Sequence, residues 1–259
     1  MKKLMIATAA LCAAVSCNAL ESANVVGYAS PSLGDNANLA GAPFDMVGDE
    51  GMDIQNIRPD GDDMYGGGVS LKLLNSGLGD LAEYFYLPAE EAPDGETAGW
   101  YEEDYTTLVD KTFDPGEGFI LMNNLENGKS TYSGQVMVGK PTWEVAPNAN
   151  LAGNITPIDL DIQNIKVGSG VDGEGNVADT EGTMYGGAFS IKLLNSGLGD
   201  LVEYFYLPAE EAPDGETAGW YLDDYTTLVD QTFGPSVGFV VMCNLDAGFV
   251  QIPAALTAE

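Results

Sequence analysis

SLKLLNSGLGDLAEYFYL at residues 70–87 returns as SIKLLNSGLGDLVEYFYL at residues 190–207. In each, two aliphatic or aromatic runs are separated by a stretch rich in Asn, Ser, Gly and Asp. Short apolar runs bounded by turn formers read as β-strands. Tyr84-Phe85-Tyr86 strengthens the reading, because aromatic side chains suit a pleated, half-buried surface. The match extends over 44 positions, Ser70 to Phe113 against Ser190 to Phe233. Only Leu71/Ile191, Ala82/Val202, Glu102/Leu222, Glu103/Asp223 and Lys111/Gln231 differ.

Outward from this stretch the likeness continues with small changes of offset. Asn36 to Gly41 recurs as Asn148 to Gly153, and Val26-Gly27 as Val138-Gly139. Asp53 to Ile57 recurs as Asp161 to Ile165, and Met64 to Gly67 as Met184 to Gly187. The largest insertion falls in the Gly/Asp/Glu-rich stretch from Gly168 to Glu181. The chain therefore reads as two units, residues 22–135 and 136–254, each of ordinary domain size. Candidate strands in the first are Asn24–Tyr28, Asn38–Phe44, Val69–Leu74, Ala82–Leu87, Gly118–Met122 and Thr131–Val138, with one helical turn at Asp53 to Ile57. The expected fold is all-β: two tandem homologous β-sandwich or small-barrel domains in close contact. The join, Val136 to Lys140, reads as a continuing strand.

Composition narrows the chemistry. The chain has 259 residues, 9 Lys plus Arg, 40 Asp plus Glu and no His, for a formal net charge of -31. Without His there is no Ser-His-Asp triad, Cys-His dyad or His-ligated metal. So large an acidic excess argues against nucleic acid, whose phosphates need Lys and Arg. Residues 1–19 read as a signal peptide: Lys2 and Lys3, an uncharged apolar run from Leu4 to Val15, and a small residue at Ala19. That run is too short to cross a bilayer, and no transmembrane segment is expected elsewhere. Ala14-Val15-Ser16-Cys17 offers a competing reading, a weak lipobox with an acylated Cys17. Removal of the leader leaves Cys243 as the only cysteine. At period two it shares a face with Phe239, Val241 and Leu245, as a small buried side chain; an intermolecular disulfide is the alternative.

Val25-Val26-Gly27-Tyr28, Asn38-Leu39, Pro43-Phe44, Gly99-Trp100 and Pro115-Gly116-Glu117-Gly118-Phe119 succeed one another in the first unit. The second keeps Asn150-Leu151, Gly219-Trp220 and Gly238-Phe239, but has Gly234-Pro235-Ser236-Val237 and no Pro-Phe. This succession resembles that of secreted bacterial β-rich repeat proteins of uncharacterised function. The resemblance implies an extracytoplasmic β-rich protein of a Gram-negative bacterium, secreted, periplasmic or at the cell surface. It implies no catalytic residue.

Three sets of residues could carry chemistry. Asp60, Asp62 and Asp63, and Asp172, Glu174 and Asn176, sit in acidic Gly-containing loops that could supply oxygens to calcium. A solvated acidic coat is the plainer reading. Trp100, Tyr101 and Tyr105, with Trp220, Tyr221 and Tyr225, could stack on sugar rings or serve as core. Paired carboxylates could hydrolyse glycosides, but among 40 acids a pair says little; no catalytic residue is assigned and an enzyme is not expected. Identity between the copies does not single out a site, because Leu and Ala are repeated as faithfully as the acids. The expected function is that of a non-catalytic extracellular structural or interaction protein, acidic and adhesin-like, or associating at surfaces with the help of calcium. The alternative is a carbohydrate-binding module with Trp100 and Trp220 as platforms. Cell-surface glycans or a second copy are the expected partners; calcium is the one cofactor considered.

Overall fold

In strand Val69–Leu74, Val69 and Leu71 are wholly buried while Lys72 is part-exposed, the alternation of a strand with one face on a core. Lys72 lies opposite Glu83 on the neighbouring strand Asp80–Leu87, and Leu71 lies opposite Tyr84. Like is thus placed beside like on each face. The computed structural model describes residues 26–45, 51–62, 64–75, 77–93, 97–213 and 217–253. The leader with its Cys17, and Asp63, lie outside the described residues.

The fold is all-β with several antiparallel sheets. One five-stranded sheet has the order Asn36–Gly41, Gly118–Asn123, Val69–Leu74, Asp80–Leu87, Gly99–Tyr101. A second repeats that order with Asn148–Gly153, Gly238–Cys243, Phe189–Leu194, Asp200–Leu207 and Gly219–Tyr221. Each accompanies a three-stranded sheet. Val26–Ala29, Glu126–Gln135 and Ile57–Asp62 form the first; Thr142–Val145, Gly248–Gln251 and Lys166–Gly168 form the second. Core residues come from both sheets of a set. In the first, Val69, Leu71, Trp100, Phe119 and Leu121 of the larger sheet pack with Ala29, Ile57 and Tyr132 of the smaller. A second cluster, from Met137 to Ile252, repeats the arrangement. The expected helical turn is a short 3-10 helix, Ile54–Asn56, opened by Asp53 accepting from the Gln55 N–H at 2.9 Å; Asp161 does the same for Ile162–Asn164.

The join corrects one expectation. Strand Glu126–Gln135 stops at Gln135, and the next strand starts at Thr142. Gly139 takes φ +81° and Pro141 lacks an N–H, so the ladder cannot run through. The insertion in the second copy contains a small hairpin, Gly170–Val171 with Val177–Ala178.

Four glycines hold the two large sheets together. Gly41 pairs with Gly118 and Gly153 with Gly238 within their own sheets. Across the junction, a Cβ on Gly41 would lie 2.5 Å from the Gly153 Cα, and one on Gly153 would lie 2.5 Å from the Gly41 Cα. A Cβ on Gly118 would strike the Ala152 N at 2.6 Å, and one on Gly238 the Ala40 N at 2.5 Å. Backbones touch here because no side chain intervenes. Two isolated bridges, Ala40 with Val237 and Ala152 with Glu117, join equivalent positions of the repeat in reciprocal fashion. That reciprocity is the mark of a local two-fold axis.

Candidate functional site

Of the two readings offered for Trp100 and Trp220, core and sugar platform, the structure shows the core. Trp100 and Trp220 are 0% exposed. Their indole N–H groups donate to the carbonyls of Ile57 at 2.7 Å and Ile165 at 2.9 Å. Tyr86 and Tyr206 meet them edge-on, with centroids 5.4 and 5.3 Å away. Gln55 braces the strand of Trp100, accepting from its backbone N–H and donating to the carbonyls of Trp100 and Val109. Gln163 does the same for Trp220. Tyr101 and Tyr221 are equally buried and donate to the carbonyls of Thr97 and Thr217 at 2.9 Å. Gly-Trp-Tyr is thus buried on both faces of the sheet, and a sugar ring has no access to these four rings.

Tyr105 and Tyr225 are different. Each is 43% exposed, and each takes a left-handed backbone, φ 57° and 55°. For a bulky residue that conformation is an outlier costing about 1–2 kcal/mol. The loop enforces it. The Asp104 carboxylate accepts from the Thr106 N–H at 2.9 Å, the Thr107 N–H at 2.8 Å and the Thr107 hydroxyl at 2.7 Å. Asp224 repeats these bonds with Thr226 and Thr227. These donors, the Thr106 N–H foremost, hold the Asp104 carboxyl well below the usual range; in the second copy, with the Thr227 hydroxyl foremost, Asp224 falls to about 2. Tyr105 leans on Phe85 with centroids 5.0 Å apart, and Tyr225 on Phe205 at 5.1 Å. Leu108 and Leu228, 46% and 45% exposed, stand in the same loops. Each copy therefore presents a rigid aromatic pair. Phe85 and Phe205 were not singled out by sequence; the signal was their place between two inward tyrosines, which turns them outward.

Among the described residues no three of Asp, Glu and Cys converge where a metal ion could be held. The Asp172 carboxylate is spent on its own turn, accepting from the N–H groups of Glu174 and Asn176 at 2.8 and 2.9 Å. Those bonds, that from Asn176 first, lower its pKa. The Asn176 side-chain oxygen accepts from Lys140. Asp60 and Asp62 are exposed on strand Ile57–Asp62, and Asp62 accepts from Asn127 at 2.9 Å. Cys243 is 1% exposed, its thiol pushed up by burial, which closes the route to an intermolecular disulfide.

Two open grooves flank the four-glycine junction. One, of about 400 Å³, is lined by Asp114, Pro115 and Glu117 of the first copy and Trp143, Glu144 and Leu151 of the second. The other, of about 310 Å³, is lined by Pro31, Ser32, Leu33 and Leu39 on one side and Leu193 and Val237 on the other. Trp143 is the half-buried tryptophan, and sequence reasoning passed it over because it lies outside the repeated motifs. Its ring sits on Gly116 (φ +84°), whose Cβ, if present, would lie 2.6 Å from the indole. Among the described residues no helix is long and apolar enough to cross a membrane. Compared with protein-family models, curated proteins and solved structures, the chain matches none.

Proposed function

We propose that this chain is a non-catalytic, extracytoplasmic interaction protein. Its two sandwich-like domains each offer an aromatic pair to a glycan at a bacterial cell surface. The observation that carries the reading is duplicated: Tyr105 and Tyr225, exposed and held in a strained loop, each lean on a half-buried phenylalanine of a neighbouring strand, Phe85 or Phe205. Strain held by the surrounding structure concentrates at functional positions. An aromatic ring fixed before binding loses little entropy on meeting a sugar face. Two linked sites raise apparent affinity by about 10²–10⁴ when one ligand reaches both.

Two features support the non-catalytic part. The chain has no His. Among the described residues, the carboxyls that are displaced, Asp104, Asp172, Asp179 and Asp224, all move downward. A glycosidase acid needs the opposite shift. The acidic surface serves solubility in this reading, and binding requires no calcium. Extracytoplasmic placement rests on the leader-like residues 1–19.

Depletion of the protein by insoluble cell-wall and capsular polysaccharides tests the reading. Tyr105→Ala or Tyr225→Ala should weaken retention roughly tenfold or more, and the double variant should abolish it. Retention by the double variant equal to that of the parent would sink the glycan reading.

A further inference from the structure

The two grooves beside the junction are built on equivalent positions of the repeat, yet they differ at the four positions that give one of them an indole and three carboxylates. Trp143 stands where the other groove has Pro31, and Glu144 where it has Ser32. Asp114 stands for Gly234, and Glu117 for Val237. Over the central 44 positions, Ser70 to Phe113 against Ser190 to Phe233, the copies differ at only five. The indole and all three carboxylates are therefore present together on one side of the axis and absent together on the other. Gly116 belongs to the set: at φ +84° and without a Cβ it gives the indole room, where the other copy has Ser236 at φ +59°.

We infer that the Trp143 groove is a binding site for an organic ammonium group. The cavity, about 400 Å³, is within the range that encloses small ligands. Its apolar wall is an indole, the ring that attracts cations most strongly through its quadrupole. Asp114 and Glu144 are exposed at the rim, while Glu117 is already held by Lys111 at 2.9 Å. Two carboxylates are thus left to favour a cation over a neutral guest. Groove and indole create the site; the carboxylates select the charge. The mirrored groove, walled by Leu33, Leu39 and Leu193, is its built-in apolar control.

The inference is independent of the glycan reading and has its own readout. Trp100 and Trp220 are sealed in the cores, so Trp143 is the tryptophan that a solute in the groove reaches. Tetramethylammonium chloride, titrated into the full chain at constant ionic strength with sodium chloride, should change tryptophan emission saturably. Its neutral isosteres, 2-methyl-2-propanol and neopentyl alcohol, should not. Broadening of the tetramethylammonium proton signal gives a second readout that does not need the indole. By that readout Trp143→Leu should abolish binding, and the surface variants Asp114→Asn and Glu144→Gln should each weaken it roughly threefold to tenfold. Tyr105→Ala/Tyr225→Ala should bind as the parent does. The inference is overturned if sodium chloride alone reproduces the change, if the neutral isosteres act equally, if Asp114→Asn and Glu144→Gln both bind as the parent does, or if methyl glucoside replaces tetramethylammonium as the quenching solute.

Discussion

The two copies agree around their core tryptophans and differ in the grooves beside the junction. Trp100 and Trp220 bond to equivalent carbonyls, lean on equivalent tyrosines and are braced by equivalent glutamines. The grooves beside the glycines, by contrast, exchanged an indole and three carboxylates for Pro, Ser, Gly and Val. Identity between copies of a duplicated chain reports shared descent and packing alike. The four changed positions give one groove a chemistry that its counterpart lacks.

The comparison breaks most visibly in the cores. Trp100→Ala and Trp220→Ala should each cost about 3–5 kcal/mol, since each leaves a large void and strips the donor from a buried carbonyl. Urea unfolding followed by circular dichroism checks this, and the two losses should agree. If only one variant were destabilised, the equivalence of the cores would be lost. The junction comes next. Gly41→Val and Gly153→Val should each cost about 1–3 kcal/mol, because the new side chain meets backbone, which cannot swing away. Gly34→Ala, whose Cβ would meet only the Asn38 side chain at 3.4 Å, is the control with almost no expected loss.

The smallest effect belongs to the tyrosine loops and is a matter of pH. The Asp104 and Asp224 carboxyls are lowered in the folded chain, so the stability they confer is complete above their ordinary value of 3.8. It is lost as pH falls, toward about 2 for Asp224. Near-ultraviolet circular dichroism from the tyrosines should therefore be level above pH 4.5 or so and fall at about pH 4 to 2. Asp224→Asn should remove the second copy's share of that change and leave the first copy's. An unchanged profile in this variant would separate the loop's shape from its carboxylate.

Much of the fold could be read along the chain, because strand and turn chemistry is local. Val69–Leu74 appears with the expected bounds; Asp80–Leu87 and Gly118–Asn123 are each extended by one or two residues. What local pattern cannot express is which side of a sheet another layer covers. Gly99-Trp100-Tyr101 would suit an exposed platform as well as a core strand; only the packing above and below decides for the core. The acids were legible as acids; that Asp104, Asp172 and Asp224 cap their own turns depends on loop geometry that composition does not show. The Tyr105 platform was half legible: its ring was named, while the Phe85 beneath it and the left-handed backbone depend on contacts across strands. Trp143 carried no local signal, since its meaning comes from Gly116 and from groups in the other copy.

The near-identity of the central strands has a consequence for how the chain acquires its fold. Ser70 to Leu87 and Ser190 to Leu207 differ only at Leu71/Ile191 and Ala82/Val202. Either segment would fill the other's slot with almost the same side chains, so the finished energies barely distinguish the proper assembly from one with strands exchanged between the two sheets. Order of arrival has to make that distinction. A chain that emerges N-terminus first into the compartment where it folds can complete its first sheet before the second set of strands arrives. Dilution from denaturant offers both sets at once, and tandem near-identical repeats are then at their most prone to swapping.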